Sequence, residues 1–388
     1  KSFWEMFERE FEAKYPQYEL ELENIPSSDS PEQFYKTKIA AGEFPDIAKV
    51  WQPALLISAG VIQEIPQDLA ALLSDPEFGK VNGKLYAMPQ HMGALGMWYN
   101  KDIFKRAGID KLPETWDEFI KALESIKAIG VEPLGMAAKD GWYVAGPFNF
   151  LWSPMTYGPD PDWPKRRTAG EVKFNNPVTK RALEQFAETI PYWQKGALSA
   201  TYDQVKGLFF SGEVAIMANG GIYNAAEVNT GELDVGFEIG YMPMPQDRAE
   251  DRRVNVYKDN LWVINSEVDG KKMEAVSDFI RFFYSSGIYV KFLDANASMP
   301  TAKGFESYAP TMDHPVAAVM VEEIRVAMEA LGTVTHAHAA QGDNIWPQGA
   351  REMSEKIVQE LAAGNQNLEE LMNMFDEQWD KGAQQMAN

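Results

Sequence analysis

The segment Gly83–Phe119 constrains the fold of this 388-residue chain more than any other stretch. Two short runs in it, Leu85–Met88 and Leu95–Tyr99, consist of apolar and aromatic residues that fit a pleated surface, and Pro89 and Gly93 lie between them. The pattern predicts two strands separated by a turn.

Helix signals follow the second of these strands. Asp102 is a residue type that caps helices, which predicts a helix that begins at Ile103 and ends at Gly108. Thr115 and Glu118 have the spacing of a capping box, which predicts the start of a further helix. Strands followed by helices indicate an α/β architecture.

The order of residues in this segment is similar to the central signature of the family 1 extracellular solute-binding proteins, the sugar-binding proteins of ABC importers, a group that includes maltose-binding protein. The matching residues are Gly83, Lys84, Tyr86, Ala87, Pro89, Trp98, Tyr99, Asn100, Lys101, Asp102, Phe104, Ala107, Gly108, Ile109, Pro113, Thr115, Trp116, Glu118 and Phe119. Further residues resemble other motifs of the family, namely Ala40, Ala41, Gly42, Pro45, Asp46, Ile47, Phe209, Gly212, Ala215, Ile216, Gly220 and Tyr223. The resemblance covers nearly the whole chain.

The resemblance implies a type II periplasmic-binding-protein-like fold, in which two α/β lobes are joined by a hinge and a ligand cleft lies between them. We expect lobe 1 to hold residues 1–101 and 259–302, and lobe 2 to hold residues 103–256 and 305–388. The chain would cross between the lobes near 100–104, 256–260 and 301–305. Family members begin with a leader, often ending in a lipid-modified cysteine, and then a first β-strand, so we expect these segments to precede Lys1.

Composition excludes several classes of function. The 57 acidic and 36 basic residues give a net charge of −21, which opposes binding to nucleic-acid phosphates and to anionic membrane surfaces. The absence of cysteine excludes disulfides, thiolate metal ligands and a cysteine nucleophile, and leaves the compartment open. We therefore expect no nucleic-acid partner, no cofactor and no resident metal.

Other parts of the chain give coarser predictions. The alternation of Glu19–Ile25 predicts a strand, and the apolar stripe of Lys271–Leu293 predicts one long helix. The segment Trp142–Trp163 mixes many aromatic residues with glycine and proline, which predicts an irregular segment. Its rings could pack a core or stack on a sugar, and we expect one or two of them to meet ligand.

The candidate binding residues are aromatic or polar. They are Trp51, Gln52, Gln90, His91, Trp142, Asn219, Tyr223, Asn260, Trp262 and Trp346. Trp51, Tyr223 and Trp346 are candidates because of their positions in the family motifs. The polar residues are candidates because they lie close to these motifs in the sequence. For His91, a bond to a sugar hydroxyl and an ordinary loop position are equally compatible with the sequence.

The sequence leaves alternatives to a sugar site. His336 and His338 would share one face of a strand and could bind a metal, but neither a cysteine nor a well-spaced carboxylate accompanies them. Numerous carboxylates leave open a carbohydrate-active enzyme, although no G-x-S-x-G motif is present. A polyamine is the leading alternative ligand.

The resemblance therefore predicts a monomeric, non-enzymatic binder. It would capture a carbohydrate, preferably a neutral oligosaccharide, by closure of its cleft and deliver it to the transmembrane permease subunits of an ABC importer. Its location would be extracytoplasmic, as a cell-surface lipoprotein or a periplasmic protein.

Overall fold

The chain consists of helices and short strands, with up to four α-helices between two successive strands in the described residues. The computed structural model describes residues 3–25, 31–258 and 260–387. The helices are α1 (Phe3–Lys14), α2 (Pro31–Ala41), α3 (Ala54–Ser58), α4 (Gln67–Ala70), α5 (Lys101–Arg106), α6 (Trp116–Ala128), α7 (Gly141–Tyr157), α8 (Trp163–Thr168), α9 (Pro177–Thr189), α10 (Tyr202–Phe210), α11 (Tyr223–Asn229), α12 (Gly270–Phe283), α13 (Ser286–Asn296), α14 (Pro315–Leu331), α15 (Ala350–Ala362) and α16 (Leu368–Ala387). The strands are β1 (Ile47–Val50), β2 (Met88–Pro89), β3 (Gly93–Asn100), β4 (Glu132–Gly135), β5 (Val214–Gly221), β6 (Ile239–Met242), β7 (Val254–Tyr257), β8 (Leu261–Ile264) and β9 (Thr333–Thr335).

Contacts between Cα atoms divide the chain into two units. Unit 1 holds Lys1–Met92, Lys258–Pro310 and Gln341–Asp343, and unit 2 holds Gly93–Tyr257, Thr311–Ala340 and Asn344–Asn388. The lobe boundaries and hinge crossings expected from the sequence stay predictions. Residue 259, at one of those predicted boundaries, lies outside the described residues.

Unit 1 is built on a three-stranded antiparallel sheet. The strand order is β1-β8-β2, with Ile47 opposite Ile264 and Met88 opposite Trp262. Helix α1 is amphipathic, and its buried ring Phe7 lies edge-on to Phe279 of α12 at 5.0 Å. This helix therefore contributes to the core of unit 1 through one apolar face.

Unit 2 contains a six-stranded sheet in which aromatic rings lie over glycines. Its order is β4-β5-β3-β7-β9, and β6 also pairs with β3. A Cβ atom on Gly220 would lie 2.2 Å from Cδ1 of Trp98, and one on Gly93 would lie 2.0 Å from Cζ of Tyr257. Only glycine leaves room for these rings, which explains why β3 and β5 contain glycine at these two positions.

The prediction that Trp142–Trp163 is irregular is wrong. Residues 141–157 form helix α7, which is buried along most of its length. It contains Pro147 and Pro154, each of which removes one backbone donor and so leaves the carbonyl four residues earlier without its helical partner.

Two buried amide side chains replace the missing donors of α7. The Nδ2 atom of Asn219 donates to the carbonyl of Tyr143, four residues before Pro147, at 3.0 Å. The Nε2 atom of Gln246 donates to the carbonyl of Phe150, four residues before Pro154, at 3.1 Å. Tertiary contacts therefore supply what the helix itself cannot, and the sequence pattern alone does not reveal them.

A buried ion pair ties α8 to α16. The Nε atom of Arg167 donates to Oδ1 of Asp376 at 2.8 Å, and the Arg167 side chain is 3% exposed. Oxygens of Asp376 also accept from the backbone N–H groups of Phe174 and Asn175. The carboxylate is thus fully engaged, which offsets the cost of burying the two charges.

Several local predictions are confirmed, and one cap is corrected. Thr115 and Glu118 form the predicted capping box of α6, and Gly108 follows α5 with a φ of 72°. The cap of α5, however, is Asn100 and not Asp102, because the Asn100 Oδ1 atom accepts from the backbone N–H groups of residues 102 and 103.

The segment Glu19–Ile25 is not a strand. Leu20 packs against one hydrophobic cluster of unit 1 and Ile25 against another, whereas Leu22 is 38% exposed. The apolar residues therefore do not share one face, and alternation over so short a run did not define a ladder.

The predicted helix over Lys271–Leu293 is two helices. Helix α12 ends at Phe283 and α13 begins at Ser286, after Ser285 in an extended conformation. Serine competes with helical hydrogen bonds and favours a helix start, which explains the break.

Candidate functional site

In unit 1, polar residues surround the exposed ring of Trp51. Trp51 directly follows β1, where an exposed side chain meets solvent at the end of a strand, and it is 49% exposed. Its indole Nε1 atom donates to Oδ1 of Asn260 at 3.1 Å, and its carbonyl accepts from Nε2 of Gln341 at 3.0 Å. Gln52 is exposed beside it. We call this set the Trp51 surface.

His91 and Gln90 follow β2 and lie next to Asn260. The Nε2 atom of His91 is 3.2 Å from Nδ2 of Asn260, and the backbone N–H of Gln90 donates to the carbonyl of Asn260 at 2.8 Å. Burial, with a smaller effect of the Lys49 ammonium, lowers the pKa of His91 to about 4, so this ring is neutral at physiological pH.

In Gln90 and His91, one side-chain atom each has no hydrogen-bond partner among the described residues. They are Nε2 of Gln90 and Nδ1 of His91, both buried. A buried polar atom without a partner is unfavourable by about 1–3 kcal/mol. Such atoms are suited to bind a polar ligand atom or water.

Trp262, by contrast, lies in the core of unit 1. It is 6% exposed, and its ring is edge-on to Phe279 and Phe283 at 5.5 Å each. Packing accounts for this residue, and ligand contact by Trp262 stays a prediction.

In unit 2, Trp142 is exposed above a cluster of tyrosines. It lies in the first turn of α7, is 39% exposed, and its ring is edge-on to Tyr202 at 5.1 Å. Tyr223 is the first residue of α11, is half-buried, and its ring lies where a Cβ atom on Gly221 would be. We call these residues the Trp142 surface.

A hydrogen-bond network supports the Trp142 surface. The Nδ2 atom of Asn224 donates to the Tyr202 hydroxyl at 3.0 Å and to Glu227 at 2.7 Å. Its Oδ1 atom accepts from Nε1 of Trp98 at 3.1 Å. Glu227 also pairs with Lys206 at 2.9 Å, and both side chains are largely buried. This network fixes the position of the Tyr202 ring that packs against Trp142.

Asn219 and Trp346 are buried in unit 2. Asn219 is 3% exposed and its amide serves helix α7, as described above. Trp346 is 8% exposed, donates its indole N–H to the Tyr157 hydroxyl at 2.8 Å, and packs edge-on to Phe375 at 5.4 Å. Structural roles account for both residues, and their contact with ligand stays a prediction.

The two histidines weighed as metal ligands do not lie on a strand. His336 precedes a short 3-10 turn, and the Nε2 atom of His338 is 2.8 Å from Oγ of Ser354. Burial and Arg351 lower the pKa of His336 to about 3. Among the described residues, no group of three or more histidines or carboxylates is arranged to hold a metal ion.

Sequence reasoning missed three residues that shape these surfaces. Gln341 and Asn224 are polar residues without a motif, so no sequence signal could have identified them. Tyr202 follows the capping residue Thr201, which predicts a helix start but not the ring's contact with Trp142. Their roles arise from contacts between segments distant in sequence.

Comparison with known proteins identifies the family. The model of the family described as bacterial extracellular solute-binding protein matches residues 1–289, more than half of the chain. The chain belongs to this family. The predicted resemblance is confirmed, and the family is one of binding proteins that act outside the cytoplasm. Within the described residues, no helix is long and apolar enough to cross a membrane.

Relatives in the family differ in their ligands. The chain is 22% identical to a multiple sugar-binding protein of Streptococcus mutans serotype c over 307 residues, which cover 76% of this chain and 71% of the relative. It is 24% identical to the sn-glycerol-3-phosphate-binding periplasmic protein UgpB of Rhizobium meliloti, over 63% of this chain and 57% of the relative. The chain thus spans little more than half the length of the second relative.

Solved structures confirm the fold class. A chitin oligosaccharide binding protein matches with a TM-score of 0.77 at 23% identity, covering 98% of this chain and 94% of the other. The solute-binding protein RafE in complex with raffinose matches with a TM-score of 0.71 at 21% identity, covering 98% and 96% of the two chains. The predicted two-domain, type II solute-binding fold is therefore correct.

Proposed function

We propose that this protein captures a neutral oligosaccharide outside the cytoplasm and delivers it to the permease subunits of an ABC importer. It binds the sugar without turning it over. We propose that the protein is a monomer and that it is a cell-surface lipoprotein or a periplasmic protein. Two lobes would close on the sugar by a hinge motion at the segments near residues 100–104, 256–260 and 301–305, where the chain passes from one lobe to the other. Closure is favoured because the ligand binds the closed state more tightly than the open one.

The observation that carries the proposal is the exposed ring of Trp51 with its polar neighbours. A large exposed aromatic side chain is unfavourable in water, yet this one is 49% exposed and fixed by a hydrogen bond to Asn260. The flat face of an indole suits the C–H face of a pyranose, while the exposed side chain of Gln52 provides a polar group for sugar hydroxyls.

The exposed ring of Trp142 supports an oligosaccharide. Among the described residues two indoles, those of Trp51 and Trp142, are exposed, and an oligosaccharide has more than one ring that can stack on an indole. Relatives and structural neighbours include proteins named for multiple sugars, raffinose and stachyose. The net charge of −21 favours a neutral sugar over a uronate or a phosphate ester.

Isothermal titration calorimetry tests the proposal. The panel contains raffinose, stachyose, chitin oligosaccharides, galactose, sn-glycerol 3-phosphate and spermidine. We expect saturable binding of a neutral sugar with a Kd of about 1 μM or tighter, which corresponds to about −8 kcal/mol. Binding of only the phosphate ester or the polyamine would overturn the ligand class.

Variants assign the binding to the rings. Trp51→Ala should weaken sugar binding at least about tenfold, and Trp142→Ala should weaken it as well, because each removes a stacking surface. Leu198→Ala, which truncates another exposed apolar side chain, is the matched control and should leave the affinity unchanged. Unchanged affinity in both tryptophan variants would remove these rings from the site.

A separate assay distinguishes a binder from an enzyme. The protein is incubated with the bound sugar, and new reducing ends are measured over time. We expect the sugar to be recovered intact. Its steady consumption would identify a carbohydrate-active enzyme instead.

A further inference from the structure

A series of hydrogen bonds between side chains of unit 1 holds the indole of Trp51. Its Nε1–H donates to Oδ1 of Asn260 at 3.1 Å, and Nδ2 of Asn260 lies 3.2 Å from Nε2 of His91. At the other end of the residue, Nε2 of Gln341 donates to the Trp51 carbonyl at 3.0 Å. An exposed ring is thus fixed at both its side chain and its main chain.

The donor and acceptor chemistry of these side chains determines which atom donates in each hydrogen bond. An indole N–H can only donate, so the Asn260 atom that faces Trp51 is the amide oxygen. The amide nitrogen of Asn260 therefore faces His91 and donates to Nε2, which must carry a lone pair. The proton of the neutral His91 ring then lies on Nδ1.

We propose that Asn260 and His91 are positioning residues that set the orientation of the Trp51 ring for its ligand, with Gln341 fixing the main chain of the same residue. The proposal rests on the proposed function, because it assigns Trp51 as a platform. It changes the expected role of Asn260 and His91, from direct ligand contact to orientation of the ring.

These hydrogen bonds would preorganise the Trp51 ring for its ligand. A half-exposed indole without a partner samples several rotamers, and ligand binding would have to select one of them. A hydrogen bond at Nε1 selects the rotamer before the ligand arrives. The amide of Asn260 is itself held by its hydrogen bond to His91, so the position of the His91 ring determines the orientation of the Trp51 ring.

The first experiment needs no ligand. Protein labelled with 15N at tryptophan gives one indole N–H resonance per ring, and Trp51→Phe assigns that of Trp51. In Asn260→Leu this proton should move upfield and exchange faster with solvent, because it loses its acceptor. In Asn260→Asp the carboxylate still accepts, so the resonance should stay protected, while the proton of His91 moves to Nε2.

His91 provides a matched pair of variants. Gln at position 91 can accept from the Asn260 amide, so His91→Gln should preserve the Trp51 resonance, whereas His91→Leu should weaken its protection. An unchanged Trp51 resonance in Asn260→Leu would overturn the proposal, whatever the ligand. Retained far-ultraviolet circular dichroism shows that the variants are folded.

The second experiment uses the tightest binder among raffinose, stachyose and chitin oligosaccharides. Asn260→Leu should weaken its binding about twofold to tenfold, the range expected for one hydrogen bond. In a Trp51→Ala background the same change should have less than about a twofold effect, because there is no ring to orient. Equal effects in both backgrounds would show direct ligand contact or a general structural role and would overturn the positioning role.

The two experiments separate failure of the inference from failure of the proposed function. If Trp51→Ala leaves sugar binding unchanged, the platform fails, even where the indole resonance responds to Asn260. If Trp51→Ala weakens binding, but Asn260→Leu has the same effect on affinity with and without the Trp51 ring, Trp51 remains a stacking surface and the positioning role of Asn260 is wrong.

Discussion

Removing the Asn219 amide should destabilise unit 2 only while Pro147 is present. Pro147 provides no N–H, so the carbonyl of Tyr143 depends on the Asn219 Nδ2 atom at 3.0 Å. Leucine has the same number and branching of heavy atoms as asparagine, so Asn219→Leu removes the donor and keeps the branched shape of the side chain. A buried carbonyl left without a partner is unfavourable by about 1–3 kcal/mol.

Part of this loss is offset in the variant. The Oδ1 atom of Asn219 is buried and has no partner among the described residues, so its removal is favourable. We therefore expect Asn219→Leu to lower the free energy of unfolding by about 1–2 kcal/mol. In a Pro147→Ala background the backbone N–H of Ala bonds the Tyr143 carbonyl, and the loss should shrink towards zero.

Equilibrium urea unfolding followed by circular dichroism measures this coupling. The double-mutant cycle of Asn219→Leu with Pro147→Ala should give a coupling of about 1 kcal/mol. The control combines Asn219→Leu with Pro154→Ala, whose orphaned carbonyl is served by Gln246, and these changes should be additive. An equal loss from Asn219→Leu in all three backgrounds would refute the reasoning and leave ligand contact as the role of Asn219.

Other predictions concern stability. Gly220→Ala places a Cβ atom against an indole ring and should lower the free energy of unfolding by about 1–3 kcal/mol. Gly207→Ala, in an open helical position, should raise this free energy by about 0.5–1 kcal/mol. Urea unfolding of both variants measures the two changes, and changes of the same sign and size would contradict the prediction. Arg167→Ala leaves a buried carboxylate unpaired and should lower the same free energy by about 3–5 kcal/mol, measured in the same way; a loss below about 1 kcal/mol would show that the pair contributes little. The pKa values of His91 and His336 are lowered to about 4 and about 3, so the unfolded chain binds protons below pH ~6.5 while the folded chain does not, and stability falls as the pH drops. Lowering the pH from 8 to 5 should reduce stability by about 2 kcal/mol per histidine, and replacing either by Gln should flatten the pH profile of the unfolding midpoint; an unchanged slope would contradict the assigned burial.

Local signals in the sequence were sufficient for the architecture. The apolar runs of residues 85–88 and 95–99 lie at or overlap β2 and β3, and Thr115 with Glu118 caps α6. These features depend on neighbours within a few residues, which is why a sequence pattern can predict them. The family resemblance rests on the same segment and is confirmed.

Predictions failed where a residue's role depends on distant partners. Helix α7 contains two prolines and was predicted to be irregular, but Asn219 and Gln246, far away in sequence, satisfy its carbonyls. The prolines show in the sequence that two backbone donors are missing. The side chains that replace these donors are distant in sequence, so the sequence pattern does not identify them.

The sequence by itself determined the family, the α/β class, the start of α6 and the glycine after α5, because caps, turns and apolar runs act locally. Only the tertiary structure decided which aromatic residues are exposed. Trp51 and Trp142 remain half-exposed, whereas Trp262 and Trp346 are buried in cores. The residue type is the same in all four cases, and the difference arises because the exposure of a ring is set by the segments that fold against it.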